Sequence, residues 1–170
     1  MKWIGALLLI GTATLIGFEW SNRLTKRPKQ IRQLKSALQI LEAEIVYSQA
    51  ALYDAFQSIS EKIPDPMRSF FSNLGEKIQG DSFELFSLWE SEANLLLKNS
   101  SMGENEKEIL MQFGRTLGQH DIDQQRKHIK LAIVHLDREL EDAVDNYHKY
   151  GKMAKSLGVL SGIFIVLLLI

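Results

Sequence analysis

The sequence predicts an all-α protein, a helical bundle flanked by an N-terminal and a C-terminal transmembrane helix. Three observations carry this. Apolar residues concentrate in unbroken runs at the two ends of the 170-residue chain. The stretch between the runs steps its apolar residues by three and four, with no period-two alternation. Lysine and arginine without acids flank each run, at 21–35 and at 149–155. The expected organisation is a transmembrane helix at 1–20, a cytoplasmic helical bundle at 21–155 and a second transmembrane helix at 156–170.

The first run, WIGALLLIGTATLIGF at 3–18, carries no charge. As a helix it spans roughly 24 Å, short of a ~30 Å hydrocarbon core, and Trp20 suits the interface. A cleaved signal peptide competes with a span here. Against cleavage, the n-region holds only Lys2 and no A-x-A site follows. Arg23, Lys26, Arg27, Lys29, Arg32 and Lys35 then keep the downstream flank inside. The last run, SLGVLSGIFIVLLLI, has Lys149, Lys152 and Lys155 on its flank. Both termini are therefore expected outside. Ala13 with Gly17, and Gly158 with Gly162, form small-xxx-small steps suited to close packing of membrane helices.

Between the spans, Pro28 is placed to open a long helix as its first residue. Its seam is Ile31, Leu34, Leu38, Leu41, Ile45, Ser48, Leu52, Ala55 and Ile59, and it is expected to run unbroken until Pro64 and Pro66. Met67, Phe70, Phe71, Leu74 and Ile78 mark a shorter helix ending near Gly80. Asp81 with Glu84 reads as a capping box for a helix carrying Phe83, Phe86, Trp89 and Leu96. Ser101 with Glu104 reads as another, for Ile109, Leu110, Phe113 and Leu117, closed by Gly118. A last helix starts near Asp121 or Asp123. Its seam of Ile129, Ile133, Leu136, Leu140, Ala143, Tyr147 and Tyr150 leads towards the terminal run.

Charge narrows the function. From Ser36 to His148 ten lysines and arginines face twenty acids, which argues against a nucleic-acid partner. With no cysteine, thiolate sites are excluded. His128 and His135 stand seven apart, too far for one metal ion unaided. No phosphate loop, nucleophile elbow or HExxH occurs. Neither an enzyme nor a cofactor is expected. The aromatics read first as core, with a partner groove as the alternative. The acids Glu42, Glu44, Asp121 and Asp123 are candidate contacts for a basic partner, the two aspartates doubling as helix N-caps.

Four segments carry a resemblance: WIGALLLIGTATLIG at 3–17, ALQILEAEIVYSQAAL at 37–52, FGRTLGQHDIDQQRKHIKL at 113–131 and KMAKSLGVLSGIFIVLLLI at 152–170. On these the chain resembles the stage III sporulation protein AB family of endospore-forming bacteria, from end to end. The resemblance implies a soluble domain like the platform proteins of type II secretion and type IV pilus systems, six-helix antiparallel bundles. It further implies a secretion-like complex in the mother-cell-side membrane around the forespore. The implied partners are a hexameric ATPase of the stage III sporulation AA type, other membrane proteins of the complex and the lipid bilayer. A passive scaffold that never touches an ATPase is the alternative. A signalling module is disfavoured, since almost no chain would lie outside.

Overall fold

The computed structural model describes residues 2–78, 84–118 and 121–169. Among them every regular element is helical, and six helices are seen: α1 Lys2–Val46, α2 Leu52–Lys62, α3 Met67–Ile78, α4 Leu85–Lys98, α5 Glu104–Thr116 and α6 Ile122–Leu169. The chain divides into two compact units, Lys29–Glu141 and Met1–Pro28 with Asp142–Ile170.

The unit Lys29–Glu141 is an antiparallel bundle, and its cross-links show the direction of each helix. Lys35 meets Asp137 at 2.5 Å, while Arg126 and Lys130 meet Glu42 at 3.4 and 3.9 Å. Numbers rise along α1 as they fall along α6, so the two helices run opposite ways. Helix α2 folds back on α1 through Ser58 and Lys62, both on Glu44. Asn73 and Lys77 of α3 reach Glu92 of α4, and Trp89 of α4 donates to the Leu110 carbonyl of α5 at 2.8 Å. Asn105 and Glu139 join α5 to α6. Gln30 accepts from the Ser101 N–H at 2.6 Å, which puts the α4–α5 turn beside Lys29, where α1 enters this unit. At the opposite end Leu52, Leu85 and Gly118 converge: a Cβ on Gly118 would stand 3.0 Å from Leu85 and 3.5 Å from Leu52.

The seams form the core. Ile31, Leu34, Leu38, Leu41, Ala55, Ile59, Ile129 and Leu136 are all buried. The aromatics are core too. Trp89 stands edge-on to Phe70 at 5.1 Å and to Phe113 at 5.4 Å, with Phe56 and Phe71 behind. Apolar side chains recurring every three to four residues bury one stripe of each helix, and the aromatic edges interlock where the short helices meet.

Four sequence expectations are corrected. Pro28 lies inside α1 and does not begin it. A proline deletes one backbone bond but need not end a helix whose packing continues on both sides. The long seam does break, between Val46 and Leu52. Ser48 and Tyr47 both donate to the Ala43 carbonyl, Ala50 returns to Glu44, and Gln49 takes a left-handed φ of 49°. That reversal stacks α2 on α1, leaves Ser48 exposed, and preserves the burial of Ala55 and Ile59. The N-cap of α5 is Gly103, not Ser101, and its box is closed not by Glu104 but by the buried Glu106, which accepts the Gly103 N–H at 2.5 Å. The α6 seam is buried at Ile129, Leu136 and Ala143, but Tyr147 and Tyr150 are 41% and 37% exposed. The box expected from Asp81 and the burial of Phe83 fall outside the described residues.

In the unit Met1–Pro28 with Asp142–Ile170, Thr25 donates back to the Ser21 carbonyl at 2.9 Å, and Lys149 lies over the Tyr150 ring. Among the described residues no helix is long and apolar enough to cross a membrane. Most side chains of the runs expected as spans, those of Ala13, Gly17, Gly158 and Gly162 included, fall outside the described residues.

Candidate functional site

The four acids singled out from the sequence have different fates. Glu42 is half-buried and takes both Arg126 and Lys130, so its carboxylate ties α1 to α6. Glu44 accepts the Ser58 hydroxyl at 2.7 Å and pairs with Lys62 at 3.4 Å. The Ser58 bond, then one from Ser48, holds its carboxyl below the usual carboxylate range. Asp121 caps α6: its Oδ1 accepts the Gln124 N–H at 2.9 Å, and its carbonyl takes the Gln125 N–H at 2.9 Å. Asp123, one residue into the helix, is exposed. The structure does not bring the four to one place. Glu42 and Glu44 stand on α1 facing different neighbours, and the two aspartates open α6.

Around Asp121 the surface is richer than the sequence suggested. Leu52, Leu85 and Gly118 converge at this end of the bundle. Tyr47 is 75% exposed just before α2, Tyr53 is 36% exposed in its first turn, and Ile122 is 41% exposed at the start of α6. Asp54, Glu84 and Asp123 are exposed beside them in sequence. Of the cations nearby in sequence, Arg126 is engaged by Glu42, Lys77 by Glu92 and Arg115 over the Phe86 ring at 5.4 Å, while Lys127 is exposed one turn after Asp123. The result is an end that is aromatic and negative. The sequence signal for it was the apolar residues left off the seams, Tyr47, Tyr53 and Ile122.

Of the basic flanks, Arg23, Lys26 and Lys29 are exposed on α1 and Arg27 is half-buried. Arg23 pairs loosely with Glu19 at 3.8 Å. Lys149 is exposed, while the side chains of Lys152 and Lys155 lie outside the described residues. Among the described residues no three of His, Asp and Glu are grouped to hold a metal ion. His128 and His135 border a cavity between α5 and α6.

These features find company in known proteins. The family model for Stage III sporulation protein AB matches residues 2–170. Stage III sporulation protein AB of Bacillus subtilis (strain 168) is 41% identical over 169 residues, 99% of each chain. A solved structure of Stage III sporulation protein AB matches with a TM-score of 0.67 at 40% identity, over 72% of this chain and 96% of that one. The family resemblance carried by the four segments is thus confirmed over nearly the whole length. With its helical order and its sequence matched together, the chain belongs to the Stage III sporulation protein AB family.

Proposed function

We propose that this chain is a non-enzymatic membrane platform of a secretion-like complex needed for endospore formation, and that it docks a cytoplasmic hexameric ATPase. The observation that carries the reading is the antiparallel register of α1 and α6. Because Lys35 pairs with Asp137, the chain enters and leaves the bundle at the same end. The same two helices carry the apolar runs at 3–18 and 156–170. On them Leu15, Phe18, Leu160 and Phe164 are exposed, from 46% to 69%, a surface suited to lipid. The basic flanks favour the cytoplasmic side, at roughly 1 kcal/mol per cation near an anionic leaflet. The bundle then lies in the cytoplasm of the mother cell, with both termini across the membrane that surrounds the forespore.

The ATPase, of the stage III sporulation AA type, docks on the opposite end of the bundle, where Tyr47, Tyr53 and Ile122 stand among acids. Aromatic anchors supply affinity there, and complementary charge supplies rate and register. The test is a pull-down of the purified ATPase by the full chain in detergent, at low and moderate salt. Binding that weakens as salt rises is expected, because exposed charge pairs are screened over about 10 Å at 0.1 M salt. Absence of binding at both salts, by a chain that circular dichroism shows to be helical, would sink the docking role. A passive scaffold would then stand. One observation favours it already: Glu42, Glu44 and Asp121 each bond a neighbour within the chain.

A further inference from the structure

Two hydrogen bonds between α5 and α6 bracket a cavity. Asn105 Nδ2 donates to Glu139 Oε2 at 3.0 Å at one end, and Gln125 Nε2 to the Thr116 carbonyl at 2.6 Å at the other. Between the ties lies a cavity of about 110 Å³ lined by Ile109, Phe113, Leu131 and Ala132, with both histidines at its border. On the small side chain of Ala132 no bulk is available to close it. Beside the cavity Leu131 and Val134 are 46% and 63% exposed, off the seam that packs the bundle.

Steps of four, three and four place Lys127, Leu131, Val134 and Arg138 on one face of α6, roughly 16 Å from end to end. Both cations are exposed. This part of an otherwise acidic domain is basic. From Arg126 to Arg138 four cations stand with one acid, Asp137, which is held by Lys35, while Asp123 and Glu139 lie just outside the stretch. Arg126 and Lys130 lean on Glu42, which leaves Lys127 and Arg138 bracketing the two exposed apolar residues.

We propose that this face binds an acidic amphipathic helix of a partner protein. Two apolar residues of that helix, three or four apart, sit on Leu131 and Val134 and fill the cavity, and a carboxylate at each end meets Lys127 and Arg138. A second copy of the chain fits poorly. A two-fold pairing of this face would set Lys127 against Arg138, and Leu95, exposed on α4, is followed by Lys98.

The test titrates the full chain, in zwitterionic nanodiscs with empty discs subtracted, against a stapled three-turn peptide bearing two leucines and a glutamate at each end. Its twin carries lysines in place of the glutamates. The acidic peptide is expected to bind about ten-fold tighter than its twin, and Val134→Ser to weaken it about ten-fold. The double variant Lys127→Glu with Arg138→Glu should invert the preference, a result that loss of fold cannot produce. No binding of the acidic peptide, or an unchanged ranking in the double variant, would overturn the proposal. So would a wild-type oligomer, seen by light scattering, that Val134→Glu dissolves, since a second copy would then be the occupant.

Discussion

At the scale of single residues, packing around Trp89 sets the tightest constraint. A Cβ at Gly114 would stand 2.6 Å from the indole nitrogen, and closer still to Cδ1, so Gly114→Ala must displace a fully buried ring. A loss of about 1–3 kcal/mol is expected from overpacking. Trp89→Phe alone should cost a similar amount, since the buried indole bond to the Leu110 carbonyl and part of the ring's packing are lost. Combined, the two changes should cost less than their sum, because the smaller ring gives the new methyl room; strict additivity in urea denaturation would show the clash is relieved elsewhere. Acid sensitivity also belongs here. Ser58 and Ser48 lower the Glu44 carboxyl, and the Ser69 hydroxyl, then its N–H, lowers that of Asp65. A carboxyl depressed in the folded state adds stability above its unfolded pKa and loses it as pH falls through the lower folded value. Glu44→Gln should therefore lower stability slightly at neutral pH and flatten part of the loss below about pH 4.5, so that the two curves converge in acid. An acid limb identical to wild type would contradict this.

At the scale of elements, the seams were legible because burial imposes a period, and the interruptions were less so because each rests on one residue. The steps from Ile45 through Leu52 to Ile59 persist across the α1–α2 reversal, so periodicity alone reads one helix where there are two. Gln49 makes the turn in the left-handed region without being the glycine or asparagine that signals it. Gln49→Gly should raise stability by up to about 1 kcal/mol, by relieving that strain, and Gln49→Val should lower it. Equal melting temperatures for the two would argue against the conformation. Gly118, at φ 75°, did announce the end of α5. The start of α5 was misplaced because Ser101 and Glu104 have the right spacing, yet Glu106 is the acid that turns back. Of the two aspartates expected as N-caps, Asp121 is one, while Asp123 lies inside the first turn of α6 and is not its cap. The intramolecular partners of Glu42 were invisible, because they lie more than eighty residues away in the chain.

At the scale of the whole molecule, the chain closes its bundle by pairing its first helix with its last. Lys35 with Asp137, and Glu42 with Arg126 and Lys130, couple residues that are neighbours only in the finished fold. Such long-range contacts form late and add little to local stability, so Asp137→Ala should mainly speed unfolding. The expected cost is below about 1 kcal/mol for a pair this open to solvent, read as an unfolding limb raised at unchanged slope with folding unchanged. A slowed folding limb would instead place the α1–α6 pairing in the transition state. The same geometry bears on mechanics. A pull directed along α1 against α6 loads their cross-links side by side, in shear, so that several must yield together. A pull across them would open the links one after another, as a zipper opens. A load that slides α1 along α6 would find this bundle stiff, and one that pries the two helices apart would find it weak.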